Sequence, residues 1–376
     1  MLIKLALGLD VNLSKTKIVV FRKGGFLSRY EKWTYNNEPL QVVNSYKYLG
    51  VDFTTRLSFN NLTSSFVSKA KQACYGILSS LKKIECYDLD VFTKLFDTKV
   101  KPILLYASEL WGCCDFVEIE KVHLFALKRF LNISLHASNT LVYGESGRYP
   151  LHVCSKLRAL KFWFKITKYP NERIVNMAYR MLSNLDSDGY TNWVSNVRNM
   201  LCENGYAYVW LFQSVGCEKT FLFNFKQTLI DSYKQGWHDK LVNGEHFEFY
   251  SSFKTIIDKE KYLCQHFMTK GFRDSLIKFR LAVSQINCHR YKFDVNKDKL
   301  YCPLCINTKE TEKHILFDCP YYEQLRVSCL PAELLRERDI ASVTGLMKQD
   351  CYNHSLGRYL FYLFKRREAL INQLRE

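Results

Sequence analysis

The sequence predicts a mainly α-helical protein with a small β unit near its N-terminus, an α+β chain. Three observations lead to this prediction. The 376 residues are 47% hydrophobic with only 7 prolines, which is typical of a folded chain with room for two or three domains. A β-branched apolar run ends at residue 22, and from Leu62 onward the apolar residues recur every three or four positions instead.

The predicted β unit covers residues 1–56. Its first strand spans residues 17–22 and ends at Gly24-Gly25, because paired glycines interrupt a strand. A second strand is expected over Gln41–Val43 and a third over Tyr46–Phe53, which has apolar residues on both faces.

The helical part begins with a predicted helix over residues 59–84, about 25 residues long. Its apolar face is formed by Leu62, Phe66, Ala70, Ala73, Ile77, Leu81 and Ile84. Further helices are expected at 89–107, 115–134 and 151–168, and Pro102 should kink or restart the first of these.

Residues 171–290 are predicted to be helical with breaks at three glycine positions, Asn204-Gly205, Gly216 and Asn243-Gly244. The chain is helical again from about 332 and ends in a basic amphipathic stretch at 355–375. The segment Tyr87-Asp88-Leu89-Asp90 is interpreted as a helix start with one of its aspartates as the cap.

A zinc site is predicted from Cys302, Cys305, His314 and Cys319, which are spaced C-x2-C-x8-H-x4-C. A tight Cys-Pro-Leu-Cys turn directs two thiolates to one point, and a His and a Cys one loop later complete a tetrahedron. These are the ligand number and types of one structural Zn2+. Residues 300–326 contain few aliphatic core residues, so the metal would supply most of their order.

Two alternatives to this zinc set stay open at this point. The four residues could be unrelated buried side chains, or His314 could lie on a helix surface while Cys288 or His289 completes a different set. The flanking aromatic residues either stack on single-stranded nucleic acid or pack around the metal. They are Tyr301, Phe317, Tyr321 and Tyr322, with Lys309, Lys313 and Arg326 nearby.

The net charge of +17 is concentrated in the first half of the chain. Residues 1–170 contain 25 Lys and Arg against 13 Asp and Glu, a net +12. Such an excess favours RNA or DNA as partner, although a solvated surface would look the same. The 14 irregularly spaced cysteines indicate a reducing, intracellular location, nuclear or cytoplasmic, and no apolar run predicts a membrane span. The sequence leaves the oligomeric state open.

Several motifs together resemble the reverse transcriptases of non-LTR (LINE-type) retrotransposons. Residues 8–21 are similar to a late palm motif, Tyr46–Val51 to the primer-grip hairpin, and residues 104–112 and 142–151 to the thumb and the region beyond it. Residues 279–326 resemble the C-terminal CCHC segment, through Phe279-Arg280-Leu281, Tyr301–Cys305, Glu310–His314 and Cys319–Tyr322 with Arg326.

The resemblance implies a palm remnant at 1–56, a helical thumb at 57–170, a helical linker at 171–290, a zinc knuckle at 291–330 and C-terminal helices at 331–376. It also implies a set of nucleic-acid contacts, for which ordinary strand packing or a solvated face is the alternative. The implied contact residues are Lys15, Lys17, Tyr46, Tyr48, Gly50, Lys69, Lys71, Lys82 and Lys83.

The resemblance does not carry polymerase chemistry with it. In the family, a Tyr-x-Asp-Asp turn that holds the metal-binding carboxylates precedes the palm motif, and this chain starts after that point. We therefore expect a nucleic-acid-binding fragment that is not an enzyme by itself. The alternatives are an active RNA-directed DNA polymerase truncated by the gene model, and a zinc-dependent protein-interaction module that uses the helix at 355–375.

Overall fold

The architecture comes from a computed structural model in which residues 11–22, 25–26, 30–56, 59–244, 246–264, 268–336 and 339–374 are described. The chain forms two compact units, Met1–Lys69 and Ala70–Glu376. The fold is mainly helical with a few two-stranded sheets, which confirms the predicted mainly α class.

In its described residues, the N-terminal unit contains six short strands that form three separate pairs. The strands are β1 (Lys17–Ile18), β2 (Thr34–Tyr35), β3 (Glu38–Pro39), β4 (Gln41–Val42), β5 (Ser45–Tyr48) and β6 (Val51–Thr54). Strand β1 pairs with β4 in parallel, whereas β2–β3 and β5–β6 are antiparallel.

Two strand predictions need correction. The strand expected over 17–22 is only two residues long, and the continuous strand expected over Tyr46–Phe53 is a hairpin. Leu49 and Gly50 both have positive φ angles, +48° and +83°, which is the backbone of the tight turns that join antiparallel strands. Gly50 was a signal for a turn at this point because glycine tolerates a positive φ, whereas Leu49 was not, because leucine rarely adopts that conformation. Residues 8–10 and Gly24 lie outside the described residues.

The helices are α1 (Phe59–Lys83), α2 (Leu89–Leu95), α3 (Lys101–Leu104), α4 (Ser108–Trp111), α5 (Val117–Phe130), α6 (Asn139–Ser146), α7 (His152–Thr167), α8 (Ile174–Ser187), α9 (Trp193–Glu203), α10 (Ala207–Phe212), α11 (Glu218–Asn243), α12 (Glu248–Phe253), α13 (Lys270–Arg280), α14 (Asn287–Arg290), α15 (Glu323–Cys329), α16 (Ile340–Lys348) and α17 (Asn353–Gln373). Two π turns cover Phe96–Val100 and His314–Asp318. Short 3-10 turns cover Lys261–Leu263, Lys297–Leu300, Pro320–Tyr322, Ala332–Leu335 and Asp350–Tyr352.

Most of the predicted helices are confirmed to within a few residues. Helix α1 has the expected 25 residues, and Pro102 lies in the first turn of α3 after a π turn that interrupts the predicted 89–107 helix. Asp88 caps α2 as predicted, because its Oδ1 accepts hydrogen bonds from the amides of Asp90 and Val91 at 2.7 and 3.3 Å. The expected breaks at Asn204-Gly205 and Gly216 fall between helices, and the one at Asn243-Gly244 coincides with the end of α11.

One hydrophobic core of the larger unit lies between α7, α9, α10 and α11. Trp163 and Phe164 of α7 are fully buried there, and Trp163 stacks on Trp210 with ring centroids 5.9 Å apart. Trp111 is also buried, in another part of the same unit.

Helices α13 and α17 approach each other closely through two glycines. A Cβ on Gly271 would lie 2.8 Å from the Phe361 ring, and one on Gly357 would lie 3.0 Å from the Phe272 carbonyl oxygen. The apolar face of α17 is thereby covered within the chain, since Leu356, Tyr359, Leu360 and Leu363 are fully buried. The expectation that this helix offers its apolar face to a partner is therefore wrong for these residues.

A buried ionic cluster joins α6 to α13. The Glu145 carboxylate accepts hydrogen bonds from the Arg280 guanidinium and from the hydroxyls of Tyr250 and Tyr262, and all four side chains are almost completely buried. Arg280 also lies 3.1 Å from Glu260. Each charge is paired, which is the condition for burying a charge at all. Among the described helices, none is long and apolar enough to cross a membrane.

Candidate metal centre

The first two predicted ligands lie in the turn of a very short hairpin. Tyr301 and Lys309 form an antiparallel bridge, and the Cys302 amide donates to the Thr308 carbonyl at 2.8 Å. The chain between them turns tightly, with the Ile306 amide donating to the Cys302 carbonyl at 2.9 Å and Ile306 itself at φ +63°. This turn places both thiols of the Cys-x2-Cys pair on one side.

The other two predicted ligands are brought together by the π turn. The Cys319 amide donates to the His314 carbonyl at 2.8 Å, a bond between residues five apart. The x4 spacing between His314 and Cys319 is one turn of this kind, so both side chains face the hairpin.

The four side chains meet at one point. Their ligand atoms all lie within 4.8 Å of one another, and the Sγ atoms of Cys305 and Cys319 are 3.6 Å apart. Two thiolates on one tetrahedral Zn2+ would be separated by about 3.8 Å, given Zn–S bonds of about 2.3 Å. Cys302, His314 and Cys319 are buried and Cys305 is half-buried. The cluster can hold a metal ion.

The hydrogen bonding of His314 and the protonation of the cysteine thiols are both compatible with a bound metal ion. Both ring nitrogens of His314 are buried, and neither has a hydrogen-bond partner within the described part of the chain. An unpaired buried imidazole is costly, whereas a metal bond to one nitrogen would offset that cost. The hydrogen bond between the two thiols lowers the pKa of Cys302 below its usual value and raises the pKa of Cys319. One thiolate, the form that binds metals, is thus already favoured.

The backbone around the ligands is held by buried polar side chains. Arg326 donates from Nε to the Leu316 carbonyl at 2.7 Å and from Nη2 to the carbonyl of the ligand Cys319 at 2.9 Å. The Tyr359 hydroxyl of α17 donates to the Ile315 carbonyl at 2.7 Å. The π turn is therefore fixed on two sides.

A second polar contact attaches the hairpin to the C-terminal helix. The Glu310 carboxylate accepts hydrogen bonds from Nε and Nη2 of Arg367, both at 2.8 Å, and from the Asn287 amide at 2.6 Å. Arg367 was expected only as part of the basic stretch near the C-terminus, and no local signal pairs it with Glu310, which lies 57 residues away.

Some expectations about this segment need correction. Ile315, Leu316 and Phe317 are fully buried, so the segment has an apolar anchor besides any metal. Arg326 is buried against carbonyl groups and is not placed for phosphate. Of the flanking aromatic residues, Phe317 and Tyr322 are packed inside, whereas Tyr301 and Tyr321 are 38% and 46% exposed.

The alternative ligands form a separate cluster. Cys288, His289 and Glu312 lie together, but both nitrogens of His289 have partners. Its Nε2 is 3.0 Å from Glu312 and its Nδ1 is 2.7 Å from the Ser284 hydroxyl. Of the two histidines, His314 is thus the one whose ring nitrogens lack hydrogen-bond partners among the described residues. Neither Cys288 nor His289 takes the place of His314 in the four-residue cluster.

The residues predicted to contact nucleic acid are spread over the start of β1, the β5–β6 hairpin and helix α1. Lys17 donates to the Gln41 side chain across the β1–β4 pair at 2.5 Å, and the Tyr46 hydroxyl donates to the Lys15 carbonyl at 3.1 Å. Tyr48 is exposed beside the hairpin turn that contains Gly50.

The four lysines of α1 are all exposed. At 100° per residue, Lys71 and Lys82 lie on one side of the helix, and Lys69 and Lys83 lie on another. They form two short rows that flank the apolar face rather than one patch.

In comparisons with known proteins, no protein-family model, no curated protein and no solved structure matches the chain.

Proposed function

We propose that this chain is the nucleic-acid-binding part of a reverse transcriptase of the non-LTR retrotransposon type, and that its C-terminal segment binds one structural Zn2+. The observation that carries the proposal is the Cys3His cluster with its unpartnered, buried His314. Three thiols and an imidazole match the soft ligands that zinc favours, and the buried position leaves no open place for substrate. The ion would hold the hairpin and the π turn in one arrangement.

Nucleic-acid binding is supported by charge and by the exposed lysines. The net +12 of residues 1–170 attracts a polyanion, and the two lysine rows of α1 are exposed for phosphate contact. All fourteen cysteines are free thiols, which fits the proposed nuclear or cytoplasmic location.

We propose that this chain binds nucleic acid but does not by itself extend a DNA strand. Asp88 and Asp90, the acidic pair nearest in type to a catalytic turn, lie with Cys264 in a group that could hold one metal ion, but Asp88 also caps α2 and Asp90 pairs with Lys259 at 2.5 Å. A polymerase needs two closely placed carboxylates that are available to metal ions.

The zinc part is tested by metal analysis of protein purified under reducing conditions. We expect about one zinc per chain in the wild type and its loss in Cys305→Ser. The matched control is Cys351→Ser, which changes an exposed cysteine outside the cluster and should keep the zinc. Wild-type protein without zinc, or Cys305→Ser protein that retains it, would refute the assignment.

The nucleic-acid part is tested by filter binding to a duplex over a range of salt concentrations. Lys71→Gln/Lys82→Gln removes one lysine row, and Lys219→Gln/Lys226→Gln removes the same charge from exposed positions on α11. Each lost phosphate contact reduces the slope of log K against log salt by about 0.9, so the first variant should lose about 1.8. Salt-independent binding by the wild type would contradict the proposal, and equal slopes for the two variants would remove α1 from the interface.

A further inference from the structure

Two neighbouring cavities lie along one face of α17. One has a volume of about 610 Å³ and the other of about 350 Å³, and they share Gln285, Arg290 and Glu368 as lining residues. Helix α17 contributes positions 361, 364, 365, 367, 368, 371 and 372, and all of these except the buried Arg367 fall on one side of the helix. The two cavities thus form a single groove, hereafter the α17 groove.

The α17 groove has the length of a short strand of nucleic acid. Eleven residues of helix separate Phe361 from Asn372, which corresponds to about 16 Å at 1.5 Å per residue. At about 3.4 Å per nucleotide, this length fits about five stacked nucleotides.

The charged residues of its lining are more often basic than acidic. The basic residues are Lys278, Arg290, Lys299 and Lys365. Two acidic residues, Asp298 and Glu368, also line it. Arg367 contributes no free charge, because Glu310 neutralises it. Lys299 is paired with Asp294 at 2.7 Å, but both groups are partly exposed and such a pair exchanges readily for another anion.

The cations lie beside aromatic rings. The Arg290 guanidinium and the Lys299 ammonium lie 5.6 and 5.7 Å from the centre of the Tyr291 ring, and Lys365 lies 4.4 Å from the centre of Phe361. Alternating cations and aromatic faces are the two components of single-strand binding sites, where phosphates meet the charges and bases stack on the rings. A duplex keeps its bases stacked inside and would use only the charges.

Uncharged polar side chains also line the α17 groove, and one of them lies next to the metal centre. Tyr301, which precedes the ligand Cys302, lines the larger cavity and is 38% exposed. The amides of Gln285 and Asn372 are exposed in the lining and offer donors and acceptors to base edges.

We propose that the α17 groove binds a short single-stranded segment of nucleic acid, with phosphates on Arg290 and Lys365 and a base on Tyr291. The inference rests on the proposed nucleic-acid binding but assigns it to residues distant in sequence from the lysines of α1. It gives the metal centre a role, because the hairpin that holds Cys302 also holds one wall of the groove.

The test is fluorescence anisotropy of the full, zinc-loaded chain with labelled oligo(dT)12, oligo(rU)12 and a 12-bp duplex, measured across salt concentrations. Arg290→Gln/Lys365→Gln removes two exposed cations, and Lys219→Gln/Lys226→Gln is the control with the same change in charge. For single strands each lost phosphate contact lowers the salt slope by about 0.7, so we expect a loss of about 1.4 relative to the control. The DNA and RNA arms show which strand the groove prefers.

Tyr291→Leu provides an independent test of stacking. It should weaken single-strand binding about 5- to 150-fold with an unchanged salt slope, while duplex binding stays the same. A thiouridine-labelled strand should also cross-link to peptides from residues 285–301 or 361–372 of the wild type, and this measurement needs no variant to fold.

The outcomes separate this inference from the proposed function. In one outcome, the wild type binds the oligonucleotides, the Arg290→Gln/Lys365→Gln variant has the same affinity and salt slope as the control, and the cross-links lie elsewhere. This outcome would refute binding in the α17 groove and leave the proposed nucleic-acid binding intact. Wild-type protein that binds none of the oligonucleotides would overturn both.

Discussion

The buried ion pair between Glu310 and Arg367 is expected to decide whether the metal hairpin stays attached to α17. Glu310 is completely buried and Arg367 is 4% exposed. The pair is bidentate with both distances at 2.8 Å, and the third hydrogen bond of the carboxylate comes from the Asn287 amide. The perturbation is Glu310→Gln, which keeps the shape of the side chain and removes its charge.

The expected cost is large because the partner charge stays buried. Removing one member of a buried pair typically costs about 3–5 kcal/mol, since the other charge is left uncompensated. At about 1.4 kcal/mol per factor of ten, local opening of the hairpin would become about 100- to 4000-fold more frequent. The double variant Glu310→Gln/Arg367→Met should recover part of this loss, because no unpaired charge remains.

The assay is amide hydrogen exchange of zinc-loaded protein, followed in residues 300–319 and 353–373. Exchange reports local opening and does not require that a chain of this length unfold in a single step. The matched control is Asp318→Asn, which removes a carboxylate of the same segment from a partly exposed pair with Lys313 at 2.8 Å. Such a pair contributes about 0–1 kcal/mol, so exchange should change little. Equal exchange in Glu310→Gln and Asp318→Asn would refute the reasoning.

Three further predictions concern the larger unit. Asp88→Ala should lower the free energy of unfolding by about 1 kcal/mol in a urea titration, because α2 loses its N-cap. An unchanged urea midpoint would show that the cap does not contribute to stability. Gly147→Ala should destabilise the protein by more than about 1 kcal/mol, because φ is +65° and a Cβ would overlap the backbone of Lys259. Gly236→Ala in α11 is the control: its Cβ has open space, so it should stabilise the protein by about 0.5–1 kcal/mol, and the opposite order of the two variants in thermal melts would contradict this. Burial alone would raise the pKa of Asp97, but the bidentate hydrogen bonds from the Arg148 guanidinium outweigh burial and lower that pKa. The pair therefore stabilises the fold above about pH 4, and this contribution is lost as the pH falls through the depressed pKa. The free energy of unfolding of Asp97→Asn should be lower than that of the wild type at pH 7 and should decrease less between pH 4 and pH 2.

The metal cluster and the long helix were predictable because their signals are local. Cys302 and Cys305 share one turn, and His314 and Cys319 share another, so their spacing alone indicates two converging pairs. Helix α1 follows directly from apolar residues every three or four positions, and Asp88 was identifiable as a cap from its position before α2. Strand lengths were less predictable, because a two-residue pairing such as β1–β4 depends on which distant segment comes alongside.

The sequence by itself determined the helical class, several of the sites where helices break and the four side chains that could hold a metal ion, because each depends on residues within about one or two turns of one another. Only the tertiary structure decided that Glu310 meets Arg367 and that α13 covers the apolar face of α17. It alone also brought Arg290, Tyr291 and Lys365 to one groove. These contacts join residues tens of positions apart, and their partners are selected by the packing of whole helices, which no local pattern encodes.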